Sequence, residues 1–375
     1  MNTNFIVNEF KQIRTRRFIA LLVILGIGTV HNSYGQSINY KKELQSLYTA
    51  VEHNFYMPDS GFYREHAVRE KEDHAVSYLW PLCALIQATC EMERVRPGSN
   101  YMDQIYSVIE KYDDPAPPSA GYDSYPGIFK REDRYYDDNQ WIGIAAMDAY
   151  FRSHKKRDLK MGKKICAFMM TGYDTVSGGG LYWREGDKST KNTCSNGPGI
   201  IVLMQLFQAT HKKDYLDKAL GLYKWTNKHL KSPDFLFYDN LNVKTGEIAK
   251  HQFSYNTGTM LESNVYLFEA TKDSSYLNEA KRIAASAATY FLGSGQFRDD
   301  IWFNAVLLRG FERLYKHSGD NVYLKAFAKC TDYVLNHDKN TNGLIGQEKA
   351  QNLVNQGGML EILARLAVLQ QKNIF

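Results

Sequence analysis

Twelve segments with a helical spacing of apolar residues constrain this fold more than any other feature of the sequence. In each segment apolar side chains recur at i, i+3, i+4 and i+7, which is the pattern of a helix that buries one face. Strand-like alternation is scarce, and no Pro- or Ser-rich linker divides the series. We therefore expect an all-α domain with helices near residues 40–56, 78–94, 99–112, 139–154, 157–170, 197–210, 213–231, 256–271, 274–291, 301–317, 320–336 and 354–371.

A weak internal repeat groups these segments in pairs. Similar dipeptides follow short polar turns at the start of alternate helices, with spacings of 57, 57, 61 and 47 residues: Tyr101-Met102, Asp158-Leu159, Tyr215-Leu216, Tyr276-Leu277 and Tyr323-Leu324. Repeated helix pairs must stack on their neighbours to bury their apolar faces. The pairing therefore predicts a ring or a solenoid of helical hairpins.

Short and long connections alternate along the chain, which separates these two architectures. The long connections all lead into even-numbered helices, at residues 57–77, 113–138, 171–196, 232–255 and 337–353. Six hairpins with their long loops at one end predict a closed (α/α)6 barrel. The even helices would form its inner ring, with their N-termini at the mouth and Gln356 among the mouth residues. An open solenoid is the alternative.

The N-terminus has the pattern of a secretory signal peptide over residues 1–35. Basic residues from Lys11 to Arg17 precede an apolar run at 18–30, and small residues end at Gly35. The apolar run is short for a membrane span, so an uncleaved anchor is the less favoured alternative. We expect a periplasmic or extracellular protein without a stable membrane anchor, whose single domain covers residues 36–375.

Charge and cysteine content narrow the classes of partner. Without residues 1–35 the chain has 42 Lys and Arg against 40 Asp and Glu, which gives no electrostatic reason for binding nucleic acid. The five cysteines form neither a C-x-x-C motif nor a zinc-type spacing. We expect no metal, no other cofactor, free thiols and a monomer.

Aromatic and polar residues concentrate in the long connections and at the starts of the inner helices. Aromatic faces stack on sugar rings, and Asn and Asp side chains bind hydroxyl groups, so this mixture at one mouth predicts a carbohydrate site. The candidate substrate-binding residues are Tyr78, Trp80, Tyr136, Trp141, Tyr182, Trp183, Asn192, Asn196, Asp239, Tyr255, Asn256 and Asp300.

The adjacent carboxylates Asp137 and Asp138 are the candidate catalytic residues. Two like charges held together separate their pKa values, so that one group can donate a proton while the other is ionised. Glycosidases need this division of roles. The alternative is that one of the two only caps the helix that follows.

The residues around this pair resemble a known family. Tyr136-Asp137-Asp138-x-x-Trp141 resembles the catalytic signature of glycoside hydrolase family 76, the endo-α-1,6-mannanases. The resemblance continues in Gly178-Gly179-Gly180-Leu181-Tyr182-Trp183, in Lys191-Asn192-x-x-Ser195-Asn196-Gly197 and in Tyr255-Asn256-x-Gly258. Family enzymes often carry two Trp where this chain has Tyr182-Trp183.

The resemblance implies hydrolysis of α-1,6-mannan with retention of configuration, with Asp137 as nucleophile and Asp138 as acid/base. It also implies that Asp239 lies near the bound sugar. Two alternatives are open. An unsaturated-glucuronide hydrolase on a similar barrel needs basic residues at its mouth, where Lys191 is the clear candidate. A non-catalytic glycan-binding protein would not need both carboxylates.

Overall fold

Apolar and amphipathic helices alternate along the chain and form two concentric layers. The computed structural model describes residues 38–69, 71 and 73–375, so the predicted signal peptide lies outside the described residues. Within them the twelve α-helices are α1 Tyr40–Phe55, α2 Leu79–Val95, α3 Tyr101–Ile109, α4 Tyr136–Ser153, α5 Lys156–Met169, α6 Thr193–Thr210, α7 Lys213–Leu230, α8 Ser254–Thr271, α9 Ser274–Ala287, α10 Ile301–Ser318, α11 Val322–His337 and α12 Leu353–Gln371.

The even-numbered helices form a closed inner ring. Each packs against the next even helix, and α12 packs against α2 to complete the circle. These helices are buried on nearly all sides, whereas the odd helices bury one face against them. The predicted (α/α)6 barrel is therefore confirmed, and the open solenoid is excluded.

Small residues allow the inner helices to approach closely. A Cβ atom on Gly258 of α8 would lie 2.7 Å from the Cα of Leu307 in α10, and one on Gly357 of α12 would lie 2.9 Å from the Cβ of Ala84 in α2. Gly258 belongs to a motif at the barrel mouth and Gly357 directly follows the mouth residue Gln356, and the structure gives both glycines a packing role.

The two ends of the barrel differ in their connections. At one end, four inner helices stop at a left-handed residue whose N–H donates to the carbonyl four residues earlier, and an outer helix begins almost at once. These residues are His154, His211, Lys272 and Gly319. All the long connections lie at the other end, as the sequence predicted.

Short strands in those long connections were not predicted from the sequence. They are β1 Tyr56–Met57, β2 Phe62–Tyr63, β3 Asp113–Asp114, β4 Gly121–Tyr122, β5 Tyr182–Arg184, β6 Asp187–Asn192, β7 Tyr238–Asn242 and β8 Ile248–Gln252. Strands β5 to β8 form one antiparallel sheet in sequential order, built from the connections before α6 and α8. We call it the mouth sheet. Its strands lack alternating apolar residues, so their sequence carries no strand period.

A buried charge network joins all six inner helices deeper in the barrel. Its members lie at about the ninth to thirteenth residue of their helices, roughly 12–18 Å along the axis from the mouth. Arg365 of α12 donates to Glu361 at 2.7 Å and to Glu312 of α10 at 2.5 Å, and it lies 3.3 Å from Glu91 of α2.

A second arginine carries the network to the remaining inner helices. Arg309 of α10 donates to Asp148 of α4 at 2.9 Å and to Glu262 of α8 at 3.3 Å, and Gln205 of α6 donates to Asp148 at 2.8 Å. Burial opposes ionisation of Glu91, but Arg365 and Arg94 outweigh it and lower the pKa of Glu91 to about 2. Charged side chains therefore tie five of the inner helices to the ring in addition to packing, and α6 joins them through the amide of Gln205.

Other structural features of the chain bear on the sequence expectations. All five cysteines lie among the described residues and are buried, free thiols. Over the same residues, no cluster of three or more His, Cys, Asp or Glu side chains is placed to hold a metal ion. None of the helices in this part of the chain has both the length and the hydrophobicity to cross a membrane.

We predict that Arg365→Met strongly destabilises the barrel. The substitution leaves several buried carboxylates without their counter-charge, and breaking a buried ion pair in this way costs about 3–5 kcal/mol. Urea unfolding should show this loss. The control is Lys218→Met, which removes an exposed pair with Asp214 on α7 and should cost less than about 1 kcal/mol. Equal effects of the two substitutions would contradict the role given to the network.

Candidate active site

The mouth of the barrel holds a cavity of about 650 Å³, lined by the starts of the inner helices and by the mouth sheet. The second residue of five inner helices lines it: Trp80, Asp137, Cys194, Tyr255 and Trp302. Asp138 and Phe303 follow two of these residues and also line the cavity. A shared helical position therefore gathers residues that lie far apart in the sequence.

The structure places the two candidate catalytic carboxylates side by side in the first turn of α4. The Oδ1 atom of Asp137 accepts a hydrogen bond from the backbone N–H of Asp138 at 3.1 Å, and its Oδ2 atom accepts one from the indole Nε1 of Trp183 at 3.1 Å. Asp138 is more buried, and the thiol of Cys83 donates to its backbone carbonyl at 3.1 Å.

The surroundings of these carboxyl groups separate their pKa values. Burial raises the pKa of Asp137 to about 6, although hydrogen bonds from Cys194 and Trp183 act in the opposite direction. Burial and the charge of Asp137 raise the pKa of Asp138 well above its ordinary value. The pair can therefore hold one proton near neutral pH, with Asp138 as its carrier.

Aromatic side chains form the walls beside the pair. On one side Trp302 lies edge-on to Trp141 at 5.3 Å and to Trp80 at 6.0 Å between ring centroids, and it is stacked with Tyr255 at 6.3 Å. The indole of Trp302 donates to buried Gln87, which fixes its orientation. On the other side Trp183 lies edge-on to Tyr135 at 5.1 Å. Trp80 and Trp183 are each 38% exposed, so both offer ring surface to a ligand.

The cavity is lined by nine of the fourteen residues that the sequence marks as substrate-binding or catalytic, together with others that it did not mark. From the predicted set it includes Tyr78, Trp80, Asp137, Asp138, Trp141, Trp183, Asn192, Asp239 and Tyr255. The unmarked lining residues include Glu65, Ser124, Glu132, Asp187, Ser189, Thr190, Cys194, Asn240, Phe253, Trp302 and Phe303. Cys194 and Trp302 occupy the helical position of Asp137, but the sequence did not show this, because it predicted the starts of α4 and α6 at residues 139 and 197 and the structure has them at 136 and 193.

The remaining predicted residues lie outside this lining. Tyr136 packs its ring on Phe168, and Tyr182 donates its hydroxyl to Asp174 at 2.9 Å. Asn256 is fully buried next to the cavity, where its amide lies against Asp239. Asp300 is exposed at the start of α10.

Asn196 is the fourth residue of its inner helix. Side chains at this position attach the long connections to the barrel. The buried amide of Asn196 accepts from the N–H of Leu181 at 2.8 Å and donates to the carbonyls of Leu181 at 3.1 Å and Asn192 at 2.8 Å. Asn139 of α4 brackets Tyr122 in the same way.

Gln356 of α12 makes the same pair of bonds: its amide accepts from the N–H of Ile345 and donates to the carbonyl of Ile345. We call these three side chains the amide clamps. Because their polar atoms are used on loop backbone, Asn196 and Gln356 are not available to a sugar. They contribute instead to holding the loops over the barrel.

Lys191, the basic residue that the sequence placed at the mouth, is fully buried. Its ammonium group donates to Asp174 at 2.6 Å and to the carbonyls of Val176 and Gly179 at 2.8 and 2.7 Å. It fastens the glycine-rich connection before β5. Every formally charged side chain among the described residues of the lining is instead a carboxylate: Glu65, Glu132, Asp137, Asp138, Asp187 and Asp239.

The chain is similar to proteins of one family. The family model described as Glycosyl hydrolase family 76 matches residues 39–304. The chain is 30% identical over 151 residues to the mannan endo-1,6-alpha-mannosidase DCW1 of Candida glabrata, covering 36% of this chain and 34% of that protein. It is 26% identical over 171 residues to DCW1 of Saccharomyces cerevisiae, covering 41% and 38%. These matches thus span little more than a third of the curated relatives.

Solved structures match over most of their length. A GH76 alpha-mannanase from Bacteroides thetaiotaomicron superposes with a TM-score of 0.82 at 25% identity, covering 90% of this chain and 97% of that one. The GH76A alpha-1,6-mannanase from a Salegentibacter species superposes with a TM-score of 0.75 at 20% identity, covering 88% and 99%, and this likeness shows the fold alone.

We predict that Asn196→Ala destabilises the protein. Each buried backbone group that loses its partner costs roughly 1–3 kcal/mol. Urea unfolding should detect the loss, and Asn227→Ala is the control because that amide bonds a carbonyl of its own outer helix, α7. A variant with unchanged stability and weaker glycan binding would show that Asn196 contacts sugar.

Proposed function

The chain belongs to glycosyl hydrolase family 76, and from this premise we propose that it hydrolyses α-1,6-mannosidic linkages in mannan backbones with retention of configuration. The names of the curated relatives, mannan endo-1,6-alpha-mannosidases, support this choice of linkage.

The observation that carries the proposal is the difference between the two adjacent carboxyl groups at the mouth. Asp137 accepts hydrogen bonds from Cys194, Trp183 and the backbone N–H of Asp138 that favour its ionised form, whereas Asp138 is buried beside that charge and holds its proton. A helix N-terminus further favours the carboxylate. An ionised nucleophile next to a neutral acid is the arrangement that a retaining glycosidase needs.

In the first step a carboxylate oxygen of Asp137 attacks the anomeric carbon and forms a mannosyl ester. The bond from that carbon to the glycosidic oxygen breaks, and its electron pair goes to the oxygen, which takes the proton of Asp138. The shortened chain leaves with a free hydroxyl group. Asp138 is now a carboxylate, which prepares it to act as a base.

In the second step Asp138 removes a proton from a water molecule as its oxygen attacks the anomeric carbon. The ester bond breaks, and its electron pair returns to Asp137. Both carboxyl groups regain their starting states, and the product has the configuration of the substrate because the anomeric centre is inverted twice.

The cavity walls support binding of a neutral sugar chain. The exposed faces of Trp80 and Trp183 offer stacking surfaces in the cavity that holds the carboxyl pair. Asn192 and Asp239 supply polar atoms for hydroxyl groups. The carboxylate lining and the buried position of Lys191 do not favour a uronate, so an unsaturated-glucuronide hydrolase is not the function we propose.

We also propose that residues 1–35 direct export and that the enzyme acts in the periplasm or outside the cell. The basic N-terminal region and the short apolar run of the sequence support this part of the proposal. A polymeric mannan substrate fits the same location.

We expect the protein to release new reducing ends from unbranched α-1,6-mannan. Asp138→Asn should lower kcat by roughly 10²–10⁴-fold, the usual contribution of a general acid. With an α-mannoside that carries a dinitrophenyl leaving group, Asp138→Asn should still release the phenol, because this leaving group needs no proton. Asp137→Asn should fail with both substrates.

NMR spectroscopy of the first product tests the stereochemistry. An α-anomer is the expected result. A β-anomer would mean inversion, and Asp137 would then act as a base. Binding of mannan without any new reducing ends in the wild-type protein would favour the non-catalytic alternative.

We further expect a bell-shaped dependence of kcat/KM on pH. Asp137 must be ionised, so activity should fall as the pH drops through its pKa of about 6. Asp138 must be protonated, so activity should fall again above its raised pKa. Initial rates over a pH series, with stability checked at each pH, measure both limbs. An acidic limb near pH 4 would show that Asp137 is not in the environment described above.

A further inference from the structure

The hydrogen bonds on the carboxylate of Asp137 have different origins, and one of them comes from the thiol of Cys194 at the start of α6. The N–H of Asp138 belongs to the same helix, so the bond to Oδ1 follows from the start of α4. The indole N–H of Trp183 comes from β5 in the mouth sheet and reaches Oδ2 across the cavity. Trp183 is therefore the residue through which the mouth sheet contacts the reactive carboxylate.

The indole is held in place although it is 38% exposed. Its ring rests edge-on against Tyr135, and the next residue, Arg184, forms a β-bridge with Tyr135. Arg184 also donates to Asp133 at 2.5 Å. The strand that carries the donor is thus attached to the residues that directly precede the acceptor.

A second set of contacts joins the residue after β5, Glu185, to the residues before α4. The buried guanidinium of Arg134 donates to both carboxylate oxygens of Glu185, each at 2.7 Å, and the N–H of Glu185 donates to the carbonyl of Arg134 at 3.0 Å. A bidentate pair of this kind fixes direction as well as distance. Backbone and ionic contacts therefore position the indole, and burial is not needed.

We propose that Trp183 is a positioning residue for the nucleophile, whose indole N–H holds the carboxylate of Asp137 in the orientation for attack, in addition to offering a stacking surface. This inference rests on the proposed function. It assigns to one indole two roles that can be separated, because Phe keeps an aromatic face and loses the N–H donor.

The hydrogen bond also affects the second step of the reaction. A donor stabilises the carboxylate more than the neutral ester. When water attacks the anomeric carbon, the electron pair of the ester bond returns to Asp137, and the indole N–H stabilises the charge that appears. Without this donor, Asp137 is a poorer leaving group, so the mannosyl ester should persist longer.

The same donor influences the titration of Asp137. Burial raises the pKa of this group to about 6, and the indole opposes that shift. Other groups that act on Asp137 or respond to its charge are Asp138 on α4, Cys83 on α2, Cys194 on α6 and Tyr255 on α8. The carboxylates Glu65, Glu132, Asp187 and Asp239 line the same cavity. All of these groups are unchanged in a Trp183 variant. Loss of the indole N–H should therefore raise the pKa of Asp137 further.

The first test is made without substrate. In the free enzyme with ¹³C-labelled aspartate carboxyl groups, the Asp137 signal is assigned by its loss in Asp137→Asn and followed over pH. Trp183→Phe should raise its midpoint by about one pH unit, the effect of one hydrogen bond to a charged group on a partly exposed side. The matched control is Trp80→Phe, because Trp80 has the same exposed fraction as Trp183. This variant should leave the midpoint of Asp137 unchanged.

A measurement on the wild-type enzyme covers the case in which Trp183→Phe does not fold. The indole N–H signals of ¹⁵N-labelled tryptophan are followed over the same pH range. The Trp183 signal should shift with the midpoint of Asp137, and the Trp80 signal should shift less. A Trp183 signal that does not respond to this titration would overturn the proposal.

Kinetics on α-1,6-mannan complete the test. For Trp183→Phe the acidic limb of kcat/KM should move to higher pH by the same amount as the NMR midpoint, whereas Trp80→Phe should raise KM and leave the limb in place. If Trp183→Phe changes KM alone and leaves the midpoint unchanged, Trp183 only stacks on sugar and the proposal is wrong. If the wild-type enzyme releases no reducing ends, the proposed function fails, while the titration still decides whether the indole holds Asp137.

Discussion

A layer of buried charges on the axis of the barrel ties the six inner helices together. Arg309 and Arg365 lie in the interior, and between them they pair with carboxylates of α2, α4, α8, α10 and α12. Charges at this depth are tolerated only when they are paired, so the helices must keep the rotation and depth that bring the partners together. The layer therefore constrains where every inner helix begins at the mouth, and the position of the active site depends on it.

With the helix starts in place, the position of a residue in the first turn decides its role. The second residue of most inner helices lines the cavity, and the fourth residue of several fastens the loop above. Asp137 lies at the first kind of position and Asn139, two residues later, at the second. The chemistry of the site and the attachment of its loops are thus encoded within one helical turn.

The long connections carry the remaining walls of the site. Buried apolar residues such as Phe237 and Leu344 pack these connections on the barrel. Amide clamps, the ammonium group of Lys191 and the pairing of Arg134 with Glu185 also hold them. These contacts place the mouth sheet beside α4, where Trp183 meets Asp137. The environment of Asp137 is therefore shared between two elements that fold from separate stretches of sequence.

The sequence by itself determined the twelve helices, their pairing, the closed ring, the mouth, and the family that the motif around Asp137 and Asp138 resembles. Helical period and loop length are local properties, so they can be read without contacts. Only the tertiary structure decided that Asn196 and Gln356 bind loop backbone, that Lys191 is buried, and that polar segments such as β6 pair into a sheet. Those outcomes depend on which buried polar groups come into contact in the folded chain, and no local sequence pattern encodes these contacts.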